Sequence, residues 1–111
     1  METPEFLSAT RKLLDEDERA ALVDYVAYNP GAGTVIPGTG GIRKLRWGLE
    51  GRGKRGGARV IYFFHNMEMP LFLLTAYTKN DREDLSHTDY ISFQQLTRML
   101  VSSYRIRRPK A

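Results

Sequence analysis

Apolar positions recur at two different periods along this chain, and the change of period divides it into elements. Phe6, Leu13 and Leu14, and then Ala21, Leu22, Val23 and Val26, fall at helical spacing. Each run opens on a start signal. Thr3-Pro4-Glu5 offers a hydroxyl cap, a proline at the first helical position and an acid near the positive end of the dipole. Asp15 with Glu18 three residues on has the form of a capping box. Two short helices, or one bent one, are predicted to end before Asn29-Pro30-Gly31. Residues 30–41 hold five glycines and two prolines, with Val35 and Ile36 as the only strong anchors, which predicts an ordered loop at best.

The period then shortens to two. In residues 42–49, Leu45, Trp47 and Leu49 alternate with Lys44, Arg46 and Gly48, so one face is expected to be buried and the other to offer cations. Residues 51–57 form a glycine-rich hairpin loop, and residues 58–65 a strand that is apolar on both faces and therefore central. A turn at 66–70 leads into a third strand, 71–78. Ser86 with Asp89 caps a last helix whose stripe includes Phe93, Leu96 and Leu100. Beyond Tyr104 the apolar period stops, which predicts a mobile basic tail. The fold class is α+β: an N-terminal helical hairpin, a twisted antiparallel sheet of three to four strands and a C-terminal helix, in the order ααβββα. One domain covers 1–104 and the tail 105–111, with no internal repeat.

Composition narrows the function. With 111 residues, 41% of them hydrophobic, the chain supports one core of modest size. Cysteine is absent, which excludes disulfides, thiol nucleophiles and thiolate metal sites. No apolar run approaches a membrane span and the N-terminus does not read as a signal peptide, so a cytoplasmic location without membrane contact is expected. The net charge of +4 conceals an asymmetry: residues 1–42 carry net −4, residues 43–82 net +6 and residues 83–111 net +2.

The positive charge is most concentrated between Gly38 and Arg59. Arg43, Lys44, Arg46, Arg52, Lys54, Arg55 and Arg59 face a single acid, Glu50, and the intervening glycines allow backbone amides to approach a phosphate. This is the electrostatic footprint of a nucleic-acid binder. The bland alternatives are a solvated, aggregation-resistant sheet edge for the cluster, a buried ion pair for Arg59, and core or rim positions for Tyr62 and Tyr77. A second loaded place is Tyr77-Thr78-Lys79-Asn80-Asp81-Arg82. Gly38-Thr39-Gly40-Gly41 lacks the lysine and hydroxyl that open a helix after a nucleotide-binding P-loop, and reads as a tight turn feeding the sheet. His65 and His87 have no partner at metal spacing and no acidic cluster is present, so neither metal nor cofactor is expected.

The blocks GTGGIRKLRW, GRGKRGGARVIY and YTKNDREDLS together resemble the RelE/HigB superfamily of bacterial toxins, and most of all its HigB-type branch. The similarity covers roughly residues 4 to 101. It implies a small ribosome-dependent nuclease that cuts mRNA in the A site and is held inactive by a cognate antitoxin. On the matching positions it implies catalytic roles for Arg46, Arg59, Lys79 and Arg82, and RNA contacts for Arg43, Lys44, Arg52, Lys54, Arg55 and Tyr77. Two departures are Asn80, where RelE proper has an arginine, and Ser86, where it has a tyrosine. The family also has a short strand before the first helix, which this chain is expected to lack unless its start lies upstream. The HigB resemblance implies an antitoxin similar to HigA, with a helix-turn-helix domain, through which alone operator DNA would be contacted.

The implied reaction is attack of an RNA 2′-hydroxyl on the adjacent phosphorus, giving a 2′,3′-cyclic phosphate and a 5′-hydroxyl. Guanidinium groups of Arg46 and Arg59 would grip the non-bridging oxygens as charge builds there. Lys79 could serve as base only if repulsion from Arg46, Arg59 and Arg82 displaced its proton. Two other readings remain: a non-catalytic inhibitor like the ParE toxins that poison DNA gyrase, and an inactive nucleic-acid-binding module.

Overall fold

A computed structural model describes residues 1–48, 57–79, 81 and 84–107, the last three as backbone only. The elements follow as α1 (Pro4–Thr10), α2 (Glu16–Tyr28), β1 (Thr34–Val35), β2 (Ile42–Trp47), β3 (Ala58–Phe63), β4 (Phe72–Thr78) and α3 (His87–Arg107). The four strands form one antiparallel sheet in the order β1-β2-β3-β4. The α+β class holds, with one strand more than ααβββα.

The helix starts are where the sequence puts them. Thr3 caps α1 by accepting from the Phe6 amide at 3.2 Å, with Pro4 next in line. Asp15 and Glu18 exchange both bonds of a capping box at 2.8 and 2.9 Å. The box makes α2 a separate helix rather than a continuation of α1. Ser86 and Asp89 exchange the corresponding pair ahead of α3, both at 3.1 Å. α3 continues through Arg107, three residues past the predicted stop at Tyr104. The ring of Tyr104 stands edge-on to Phe72 at 6.3 Å, so sheet contact persists to that level.

Burial follows from the two-sided sheet. Leu45, Val60, Tyr62, Leu73 and Ala76 pack with Phe6 of α1, Leu22 and Val26 of α2, and Leu14 between the two helices. Ile42, Ile61, Phe63, Phe72, Leu74 and Tyr77 pack with Phe93, Leu96 and Leu100 from α3. With helices on both faces, all six residues of β3 are buried. Each large apolar side chain so enclosed contributes about 1.5–3 kcal/mol relative to exposure.

Two sequence expectations are corrected. The loop 30–41 contains the two-residue strand β1, because Thr34 and Val35 pair with Lys44 and Arg43 on the free edge of β2. Where an edge strand was expected to be missing, residues 1–3 run beside β4. The Leu73 amide donates to the Met1 carbonyl at 2.8 Å, and the Thr3 amide donates to the Leu73 carbonyl at 3.2 Å. Glu2 adds an ion pair to Arg19 of α2 at 2.7 Å. The turn ahead of β2 is as expected: the buried Thr39 hydroxyl donates to the Ile36 carbonyl at 2.6 Å and accepts from the Ile42 amide at 3.2 Å. Gly41 has φ +122, with Phe63 and the Phe64 carbonyl each 3.1 Å from where a Cβ would lie. Among the described residues no helix is long and apolar enough to cross a membrane.

Candidate functional site

Strand register brings together residues far apart in the chain. Arg46 of β2 pairs with Arg59 of β3, and Arg59 pairs with Tyr77 of β4. Directly opposed residues share a face, so the three side chains form a row on the α3 side of the sheet. Lys44 lies on the same face two residues from Arg46, opposite Ile61. Tyr77 reaches this row because of a bulge. Ile61 pairs with Thr75 but Tyr62 with Leu73, which leaves Leu74 as an extra residue in β4. The extra residue reverses the alternation, so Tyr77 joins Phe72 and Leu74 on one face while Leu73 and Ala76 serve the other.

The row differs along its length in access to solvent. Arg46 is exposed, Arg59 is 8% exposed and Tyr77 3%. An arginine enclosed to that degree is uncommon, because burying a charge is costly without hydrogen-bonded support. Lys79 follows β4 by one residue and is exposed, in a turn closed by Thr78 and Asp81. Their side chains bond at 3.2 Å, and the Asp81 amide donates to the Thr78 carbonyl at 3.0 Å. Arg82 lies outside the described residues, as do Arg52, Lys54 and Arg55 of the glycine-rich loop, and Asn80.

Arg43 departs from the cluster. It alternates onto the opposite face, where its Nη1 donates to the Gly33 carbonyl at 2.7 Å and to the Gly31 carbonyl at 3.4 Å. It anchors the chain before β1. Tyr62 does related work on that side: its hydroxyl donates to the Pro30 carbonyl and accepts from the Gly33 amide, both at 2.8 Å. Burial raises the pKa of this phenol, with the Gly33 amide and Arg43 pulling the other way. Tyr62 is therefore a core residue rather than a platform for bases.

One acid stands at the end of the row. Asp84 Oδ1 accepts from the Tyr77 hydroxyl at 3.0 Å, the Tyr90 hydroxyl at 2.8 Å, the Leu85 amide at 2.8 Å and Lys44 Nζ at 3.3 Å. Burial pushes the Asp84 carboxyl up. Hydrogen bonds from Tyr90, the Leu85 amide, Tyr77 and Lys44 outweigh burial and hold the group down at about 2. Burial and then the bond to Asp84 raise Tyr90 to about 12. Tyr77 is raised by the same two causes in the same order, with Arg59 opposing them. The carboxylate thus stays ionised and both phenols stay protonated at neutral pH.

Asp84 and Tyr90 are absent from the sequence-derived set. In the sequence Asp84 reads as one more acid ahead of a helix, and Tyr90 as a member of the apolar stripe of α3. Nothing local marks a bond from Asp84 to Lys44, forty positions away. What the assembled groups offer chemically is two arginines, Arg46 and Arg59, side by side on one face, with Lys44, Tyr77 and Tyr90 tied to a carboxylate next to them. Paired guanidiniums are a setting for an anion that gains charge during reaction.

Compared with known protein families, residues 36–106 match the RelE toxin of the RelE/RelB toxin–antitoxin system. The matched stretch includes β2, β3 and β4, and with them the whole row.

Proposed function

The chain belongs to the RelE toxin family, and from that premise we propose that it is an mRNA endoribonuclease of the HigB-type branch, working in the ribosomal A site to stop translation. Toxins of this family are generally endoribonucleases paired with an antitoxin. The observation that carries the reading for this chain is the row of Arg46, Arg59 and Tyr77, drawn from three strands onto one face.

The reaction is metal-independent transesterification. The 2′-oxygen loses its proton and forms a bond to the adjacent phosphorus, the bond from phosphorus to the 5′-oxygen breaks, that oxygen takes up a proton from water, and the products are a 2′,3′-cyclic phosphate and a 5′-hydroxyl. Arg46 and Arg59 take the negative charge that accumulates on the non-bridging oxygens; one such aimed donor is typically worth about 3 kcal/mol. Lys79 and Arg82, which follow β4 in the sequence, are assigned to the same phosphate as cations, and Lys79 takes the 2′-hydroxyl proton only where the neighbouring cations have first displaced its own. Lys44, on the same face as the row, holds flanking RNA, as do Arg52, Lys54 and Arg55; Arg43, on the opposite face, and Tyr77, buried in the row with its hydroxyl on Asp84, serve the fold instead. A catalyst with so few good bases relies on the ribosome to place the hydroxyl in line. The partner is an antitoxin similar to HigA that masks residues 43–59 or distorts the site, leaving operator DNA to the antitoxin's own helix-turn-helix domain.

The test is a reconstituted translation system given micromolar protein, with RNA 5′ ends sequenced. Cuts within translated codons are expected from the wild type and not from Arg59→Ala. Undisturbed translation overturns the proposal, and if it comes with DNA breaks the ParE-like reading takes its place.

A further inference from the structure

Asp84 plays no part in the chemistry above, yet it receives more side-chain hydrogen bonds than helix capping demands. The capping box of α3 is made by Ser86 and Asp89 without it. Its side chain is 50% exposed, so burial does not force a carboxylate to gather partners here. The partners nevertheless come from three elements: Lys44 from β2, Tyr77 from β4 and Tyr90 from the first turn of α3.

Each bond acts on a group beside the row. Tyr77 is the register neighbour of Arg59, so fixing its hydroxyl fixes the side chain next to this buried arginine in the row. Lys44 shares a face with Arg46, and its ammonium is drawn over the sheet to the acid at 3.3 Å. Asp84 also ends the segment that leaves β4. The Thr78–Asp81 bonds close the turn that carries Lys79, at the start of that segment.

We propose that Asp84 is a positioning residue for the phosphodiester cleavage. By holding Tyr77, Lys44 and the first turn of α3 against one another, it fixes the groups beside Arg46 and Arg59 before RNA arrives. The inference rests on the endoribonuclease reading and adds a residue to it. Preorganisation acts on the chemical step more than on encounter, and displacing reacting groups by about 1 Å costs about a hundredfold in rate.

The test is single-turnover cleavage of mRNA on programmed ribosomes by the wild type, Asp84→Ala, Tyr77→Phe and the double variant. The expected result for Asp84→Ala is a maximal rate reduced by about ten- to a hundredfold, with half-saturation changed less than about threefold. Tyr77→Phe should fall in the same direction, and the double variant should lose less than the product of the two single losses, because both remove one link. Asp84→Asn keeps an acceptor for the phenols and lacks the charge that holds Lys44. It should be intermediate, and it serves if Asp84→Ala does not fold. Cleavage by the wild type that both Asp84 variants match overturns this inference alone, as does a loss confined to half-saturation. Absence of cleavage by the wild type overturns the nuclease reading and the inference with it.

Discussion

Arg46 and Arg59 stand directly opposite each other in the β2–β3 ladder. Like charges so placed oppose sheet pairing by about 0.2–1 kcal/mol. On the proposed nuclease reading a phosphate between them would turn the same placement into an advantage, a trade of folding stability for function.

Replacing Arg46 by Gln, which keeps length and removes charge, should therefore have two opposite effects. The melting temperature should rise by about 1–5 °C, while cleavage should fall by about 10²–10³-fold, as when one aimed donor is lost. Calorimetry and 5′-end mapping on the same preparation check both. A variant that is less stable and equally active would show that the pair is structural.

Gly57→Ala should be among the most damaging single changes in the sheet. Gly57 has φ +52, and a Cβ there would lie 2.1 Å from the Trp47 carbonyl oxygen. Both the left-handed backbone and the collision must be relieved at the end of the β2–β3 ladder, at a cost of about 3 kcal/mol or more. Gly48→Ala is the control, since nothing lies within 4 Å of its Cβ position. Denaturant midpoints for the two variants should separate clearly, with the Gly48 variant close to wild type.

Tyr62→Phe should separate stability from chemistry. The change strips the Pro30 carbonyl and Gly33 amide of a shared partner inside the protein. A loss of about 1–3 kcal/mol is expected in denaturant unfolding. The hydroxyl lies on the face away from the arginine row, so cleavage by the folded variant should match wild type. A large rate loss at full folding would tie this face to the reaction.

The Asp84 carboxyl gives a pH signature. Its folded pKa of about 2 lies below the ordinary 3.8. Ionisation therefore stabilises the fold fully above about pH 4, and the contribution is lost as pH falls through about 2. With half of the side chain exposed, the contribution is about 1 kcal/mol at most. The melting temperature of wild type should exceed that of Asp84→Asn at pH 5 to 7 and converge on it near pH 2. An advantage that is constant across this range would remove the charge as its cause.

What the sequence determined by itself are the features that depend on neighbours within a turn or two. Thr3-Pro4, Asp15 with Glu18 and Ser86 with Asp89 start helices because a side chain and an amide three residues on are in reach whatever the rest of the chain does. The alternation of Lys44 and Arg46 with Leu45 and Trp47, and the apolar run of β3, likewise mark an amphipathic strand beside a central one. Tertiary structure decided which cations share a place. Register, set by packing on both faces, put Arg46 opposite Arg59, and the bulge at Leu74 turned Tyr77 toward them. The same pairing sent Arg43 to the other face and joined Asp84 to Lys44 across the sheet. Such relations join segments whose separation along the chain is arbitrary, so no local period encodes them, and they exist only once the sheet has closed.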